Sequence, residues 1–248
     1  METITTDGVV LARTFVGEKD AIITILTTHA GIISASAKGI KNMKSKLSAG
    51  CAVFTFSEFL LRHDRGKYVV ASAKSKDGFY GLSAHIERLS FATYVAELTR
   101  SFALSSEDAK TILPLVLNTL YLLANTTKNM RLIKCVFELR LLCHLGYAPE
   151  LDACCTCGDT EAPCFFSPSA GGIVCRSCGK LADACILTPD AHAAMLYAQG
   201  ANDKKAFAFT LASADIDEFE RCTESMCEAI LGRRLASLNY LKQITGKI

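Results

Sequence analysis

The chain has 248 residues, half of them apolar and 21% charged, with a formal net charge of +2. That leaves room for one large domain or two to three small ones, and it is too apolar for a disordered chain and too nearly neutral for a uniform polycation. The richest apolar run, "ILPLVLNTLYLLA", is interrupted by Pro114 and Asn118 and falls short of the roughly 20 residues a bilayer helix needs; Glu2 and Asp7 precede any apolar stretch, so neither a membrane span nor a secretory leader is expected.

Up to about residue 80 the pattern is short and β-rich: "GVVLARTF", "AIITILTT", "GIISASAKG", "AVFTFSEFLL" and "KYVVASAK", punctuated by Gly17, Gly31, Gly50 and Gly66. Five strands at this spacing predict a small barrel, for which the OB type is the commonest solution. From Ser83 the period lengthens. Ile86, Leu89, Val95, Leu98 and Phe102 predict an amphipathic helix over 83–103 with Ser83 as N-cap. A second helix is expected over 107–125, interrupted near Pro114, and a third over 128–145, ended by Gly146 and Pro149. Residues 150–185 have no period. Two further helices begin at Thr188-Pro189 and at Asp215, the last able to run past Gly232 to about Lys242. The expectation is an α+β multidomain chain: an OB-type barrel over 1–80, a helical domain over 81–149 and 186–248, and an insert over 150–185.

The insert carries "CCTCG" and "CRSCG". Cys154, Cys157, Cys175 and Cys178 form C-x2-C-x17-C-x2-C, the spacing of a four-thiolate zinc site. Each pair precedes a glycine, Gly158 or Gly179, where a tight knuckle favours positive φ. Cys155 competes with Cys154 as a ligand, but only Cys154 reproduces the geometry of the second pair. Four protein ligands close the coordination shell, so one structural Zn²⁺ is expected, with no hydrolytic role. A redox C-x2-C is the alternative, but neither flank has the strand-to-helix context such a motif requires. Cys51, Cys135, Cys143, Cys164, Cys185, Cys222 and Cys227 show no paired spacing and read mostly as buried filler. In a reducing compartment the twelve cysteines are metal ligands or small hydrophobes, not disulfides.

Charge is uneven. Residues 1–80 hold eleven Lys and Arg against seven Asp and Glu, and "AKGIKNMKSKLSAG" carries Lys38, Lys41, Lys44 and Lys46 with no acid. Residues 229–248 add Arg233, Arg234, Lys242 and Lys247, whereas 215–228 hold six acids against Arg221. The lysine stretch falls between the predicted third and fourth strands, where an OB barrel carries its long connection. There it reads either as a phosphate-binding loop, with a salt slope of about −3 on single strands, or as a solvated loop. Phe54, Phe56 and Tyr68 are candidate stacking platforms or core. Histidines 29, 63, 85, 144 and 192 make no ligand spacing, and no nucleotide, hydrolase or zinc-protease motif occurs, so no enzymatic activity is expected.

At "LIKCVFELRLLCHLGYAPELDACCTCG" and "FFSPSAGGIVCRSCG" the chain resembles the RecO family of bacterial recombination and repair mediators. "AKGIKNMKSK" is similar to that family's basic segment, although Ile40 and Asn42 stand where members often place a small residue and Arg. "GRRLASL" is similar to its closing helix. The resemblance implies an N-terminal OB domain and a helical body with an inserted zinc module held by Cys154, Cys157, Cys175 and Cys178. It implies DNA binding in which Lys38, Lys41, Lys44 and Lys46 take part, and no catalytic turnover. It further implies a cytoplasmic bacterial protein, nucleoid-associated during repair. Such a protein binds single- and double-stranded DNA, anneals complementary strands and, with RecR and single-stranded-DNA-binding protein, helps load RecA in homologous recombination. A rival expectation is a protein-interaction adaptor that makes no DNA contact and has a structural zinc site.

Overall fold

The computed structural model describes residues 2–64, 66–102, 104–160 and 165–246; Cys164, Lys247 and the expected helix end at Ala103 lie outside them. Contacts group the chain into two units, 1–126 with 244–248, and 127–243.

In the first unit, β1 (Glu2–Val16), β2 (Asp20–Thr27), β3 (Gly31–Ala37), β4 (Phe56–Asp64) and β5 (Lys67–Asp77) close into a barrel in the order β1-β2-β3-β5-β4. All neighbours are antiparallel except β3 and β5, which run parallel. This is the five-stranded order of an OB-type barrel. β1 is long enough to serve two partners, pairing β4 through residues 2–9 and β2 through residues 8–16. Alternating side chains fill the interior: Val10, Ile23, Ile25, Ile33, Phe59, Leu61 and Val70 are buried together, each worth about 1.5–3 kcal/mol when fully removed from water.

The expected fourth strand starts too early. Residues 51–54 are turns and Phe54 has φ 67°. β1 nevertheless holds the segment that leads into β4: Val10 donates to the Thr55 carbonyl at 3.1 Å and accepts from the Phe54 N–H at 2.8 Å.

A 3₁₀ turn at Tyr80–Ala84 takes up the expected cap Ser83, and α1 (Ile86–Ser101) starts behind His85 without a side-chain cap. Its buried stripe is Phe91, Tyr94, Val95 and Leu98; Ile86 and Leu89 are exposed. α2 (Ser106–Asn125) opens with a Ser105–Asp108 capping box and runs unbroken through Pro114. That proline and Lys110, whose carbonyl loses its usual helical donor there, both lie on the exposed side.

The second unit contains α3 (Met130–His144), whose first turn is capped by the Asn129 side chain and whose end is sealed by the Tyr147 N–H on the Leu142 carbonyl at 2.8 Å. A small sheet follows: β6 (Phe165–Ser167), β7 (Gly172–Val174) and β8 (Cys185–Ile186), ordered β7-β6-β8. α4 (Pro189–Gly200) starts behind Thr188 as expected. α5 (Ser213–Leu231) does not run on to Lys242. Gly232 ends it in the left-handed conformation, and a separate α6 (Ala236–Ile244) begins.

α3 and α5 pack together around a buried cation, Lys134, which is 1% exposed. Its ammonium lies 3.0 Å from Glu138, 2.8 Å from Glu224 and 3.5 Å from Glu220. Arg131 bridges Glu220 and Asp217, and Lys242 reaches Glu224 at 2.5 Å. Burial opposes the Lys134 charge, but these carboxylates together hold it protonated, well above its ordinary range. Among the described residues no helix is long and apolar enough to cross a membrane.

Candidate nucleic-acid interface and metal centre

The lysine stretch is not a loose loop. Ile40, 3% exposed, and Cys51 are buried in the barrel core with Leu47 partly buried beside them, so the segment is pinned at three points. The Asp20 carboxylate accepts the Gly39 N–H at 2.7 Å, the Lys41 N–H donates to the Lys19 carbonyl at 3.1 Å, and the Ser48 hydroxyl donates to the Ile40 carbonyl at 2.7 Å. Ile40, where relatives were expected to carry a small residue, therefore anchors the loop. Lys38, Lys41, Lys44 and Lys46 project from it and are exposed; among the described residues none pairs with a carboxylate. Burial pushes the Cys51 thiol beneath them up to about 11 and leaves it unreactive at neutral pH.

Of the aromatics singled out in the sequence, Phe54 is buried. Phe56 is half-buried with the Lys76 ammonium 5.6 Å from its ring, and Tyr68 packs its ring 4.8 Å from that of His63. Sequence reasoning missed Phe15. It stands at the outer end of β1, 49% exposed, with the Arg13 guanidinium 5.0 Å and the Lys41 ammonium 4.5 Å from its ring centroid.

The four expected thiols converge. The sulfurs of Cys154, Cys157, Cys175 and Cys178 all lie within 4.8 Å of one another, those of Cys157 and Cys175 at 3.7 Å. Tetrahedral zinc with bonds of ~2.3 Å needs sulfurs about 3.8 Å apart, so the quartet fits such an ion. Cys155 is outside the group; its N–H donates to the Ile173 carbonyl at 2.9 Å and its thiol is raised by burial.

The Cys175 N–H, 3.3 Å from the Cys154 sulfur, pulls that thiol down to about 6, whereas the neighbouring thiols of Cys175 and Cys157 push Cys178 up to about 12. Four thiolates at this spacing require an opposing charge, which a divalent ion supplies. The two glycines differ from expectation. Gly158 has φ 75° and donates to the Cys154 carbonyl at 2.8 Å, but Gly179 is not in the left-handed region. It is needed for space, because a Cβ there would lie 2.3 Å from the Phe165 ring.

The segments flanking the knuckles build their frame. Asp183 accepts from the Ser169 N–H (2.7 Å) and from the hydroxyls of Ser167 (2.8 Å) and Ser169 (3.0 Å), fixing the "FSPSAGG" turn. Glu150 of "GYAPELD" exchanges backbone hydrogen bonds with Gly171 (3.0 Å) and Ile173 (2.9 Å).

Of the other cysteines, Cys51, Cys135, Cys222 and Cys227 are buried as expected, and Cys185 and Cys222 meet with sulfurs 3.6 Å apart. The histidines among the described residues join no metal group: His144 meets Asp203 at 3.1 Å and His192 the Leu151 carbonyl at 2.7 Å.

Residues 1–79 match the family model described as recombination protein O N terminal, and residues 83–239 match recombination protein O C terminal. The chain is 31% identical over 246 residues to the DNA repair protein RecO of Acetivibrio thermocellus, covering 98% of both chains. It is 35% identical over 176 residues to that of Alkaliphilus metalliredigens, covering 71% of this chain and 72% of the relative. To that of Dehalococcoides mccartyi it is 27% identical over 242 residues, covering 97% and 95%. Two family models that between them cover most of the chain, with a relative 31% identical across 98% of both chains, lead to one conclusion: the chain belongs to the RecO family of DNA repair proteins.

Proposed function

We propose that this chain is a non-enzymatic, cytoplasmic mediator of recombinational repair. It binds single- and double-stranded DNA, anneals complementary strands and, with RecR and single-stranded-DNA-binding protein, helps load RecA. The observation that carries the reading is the run of four exposed lysines, without carboxylate partners among the described residues, fixed to the barrel by buried Ile40. Cations held at set positions neutralise phosphates and release counterions whatever the base sequence, and screening two strands at once lets their free bases pair.

Zinc is the proposed ion of the thiolate quartet. Cys154, Cys157, Cys175 and Cys178 would hold it, and when bound it supplies a structural cross-link between two knuckles. With all four positions taken by protein sulfur, no position is left for substrate.

A second reading, an adaptor whose helical unit docks partner proteins without DNA contact, is favoured by one feature. An apolar pocket of about 170 Å³ lies at the start of α3, lined by Leu132, Ile133, Val136, Phe207, Phe209 and Leu211 among others. An electrophoretic shift assay with single-stranded and duplex DNA at low and high salt separates the two. The mediator reading expects retention of both DNAs that fades with salt; absence of any retention, with partner binding insensitive to salt, overturns it in favour of the adaptor.

A further inference from the structure

We infer that Phe15 is a base-stacking platform that gives the barrel a preference for unpaired over paired strands. The inference rests on the DNA-binding reading and adds a contact of a different physical kind. Phe15 pairs with Ala21 one step before the β1–β2 turn; Ala21 is buried in the barrel core, whereas Phe15, Val16 and Ile22 are each about half exposed. A large aromatic half exposed to water is unusual, and two cations stand against its ring. Arg13 shares its strand face two residues away, and Lys41 reaches it from the pinned loop.

The same hydrogen bonds that fix the loop, Asp20 to Gly39 and Lys41 to the Lys19 carbonyl, tie it to this hairpin, so the Lys41 backbone keeps a fixed place beside the ring. The hairpin's Asp20 is turned to that internal contact.

An aromatic face flanked by phosphate-seeking cations matches an unstacked nucleotide, whose base offers a π-face and whose backbone offers charge on either side. Lys41, on a flexible four-carbon stem, moves from the ring to a phosphate as the base arrives. Duplex DNA presents no free π-face, so it gains only the cationic contacts.

The test uses the full chain, which contains no tryptophan. Phe15→Trp introduces a single indole and keeps the π-face, whereas Phe15→Leu keeps apolar area and removes it. Oligo-dT is expected to quench the indole emission of Phe15→Trp, and duplex of equal length is not. Phe15→Leu is expected to bind oligo-dT about 5- to 150-fold more weakly, the range of one lost base stack, with duplex affinity and salt slope unchanged. Far-UV circular dichroism verifies that both variants are folded. The platform is overturned if Phe15→Leu binds oligo-dT like the parent, if single-strand and duplex affinity fall together, or if oligo-dT leaves the indole unquenched. Should the parent chain retain no DNA at low salt, the platform falls together with the mediator reading.

Discussion

Replacing Lys38, Lys41, Lys44 and Lys46 together by Ala removes four exposed cations while leaving the anchors Ile40, Leu47 and Cys51 in place. Because none of the four is neutralised by a carboxylate among the described residues, each counts as a full phosphate contact. Single strands release roughly 0.7 counterion per contact, so the slope of log K against log salt flattens by about 2.8. Over the decade between about 1 M and about 0.1 M salt that slope difference amounts to ~600-fold in affinity, or about 4 kcal/mol, with the two proteins converging at the high-salt end. Stability changes little, since exposed substitutions of this kind fall within about 0.5 kcal/mol each. Fluorescence anisotropy of a labelled oligo-dT across a salt series reads both quantities. Parallel lines for parent and variant would take the lysine loop out of the binding surface.

Elemental analysis is expected to give about one zinc per chain, retained in Cys155→Ser and lost in Cys175→Ser; a folded, metal-free protein with all four thiols replaced by Ser would remove the structural role. Lys134→Met takes the ammonium away from Glu138, which is 0% exposed, and is expected to cost about 3–5 kcal/mol by urea unfolding, most of it restored in Lys134→Met with Glu138→Leu. A loss under about 1 kcal/mol would mean the buried network is not coupled to folding. Burial opposes the charge of Glu224, but Lys134 and Lys242 hold its carboxyl below the ordinary value, so the unfolded chain binds the proton more readily. The stability this carboxylate contributes is therefore full above its unfolded pKa of about 4.3 and is lost as pH falls through the lower folded value. Glu224→Gln should flatten the acid limb of the stability curve, and an unchanged limb would contradict the assignment.

The barrel was legible because glycine-bounded, alternating segments map directly onto strands with one buried face, and the metal quartet because thiolate spacing is nearly independent of the surrounding fold. Other features depended on partners distant in sequence. Phe54 looks like part of a strand, but its backbone is left-handed, with its N–H held by the Val10 carbonyl of β1, and β4 starts only at Phe56. Pro114 reads as a break, and only its placement on the solvent side lets α2 continue. Lys134 and Glu138 have the i,i+4 spacing of a solvated helix face and are instead buried, because α5 brings Glu220 and Glu224 against them. Ile40 and Phe15 were both hidden for the same reason: whether an apolar residue near a strand end plugs the barrel or stands beyond it depends on where closure ends.

Annealing is the activity in which basic surface and free bases must act together, which makes its rate the most direct measure of the account. Complementary strands coated with single-stranded-DNA-binding protein should pair markedly faster in the presence of the zinc-loaded chain, with the gain lost in the four-lysine variant. Equal rates with and without the chain, or an undiminished gain in the variant, would contradict the claim that a lysine loop pinned to an OB barrel brings strands together.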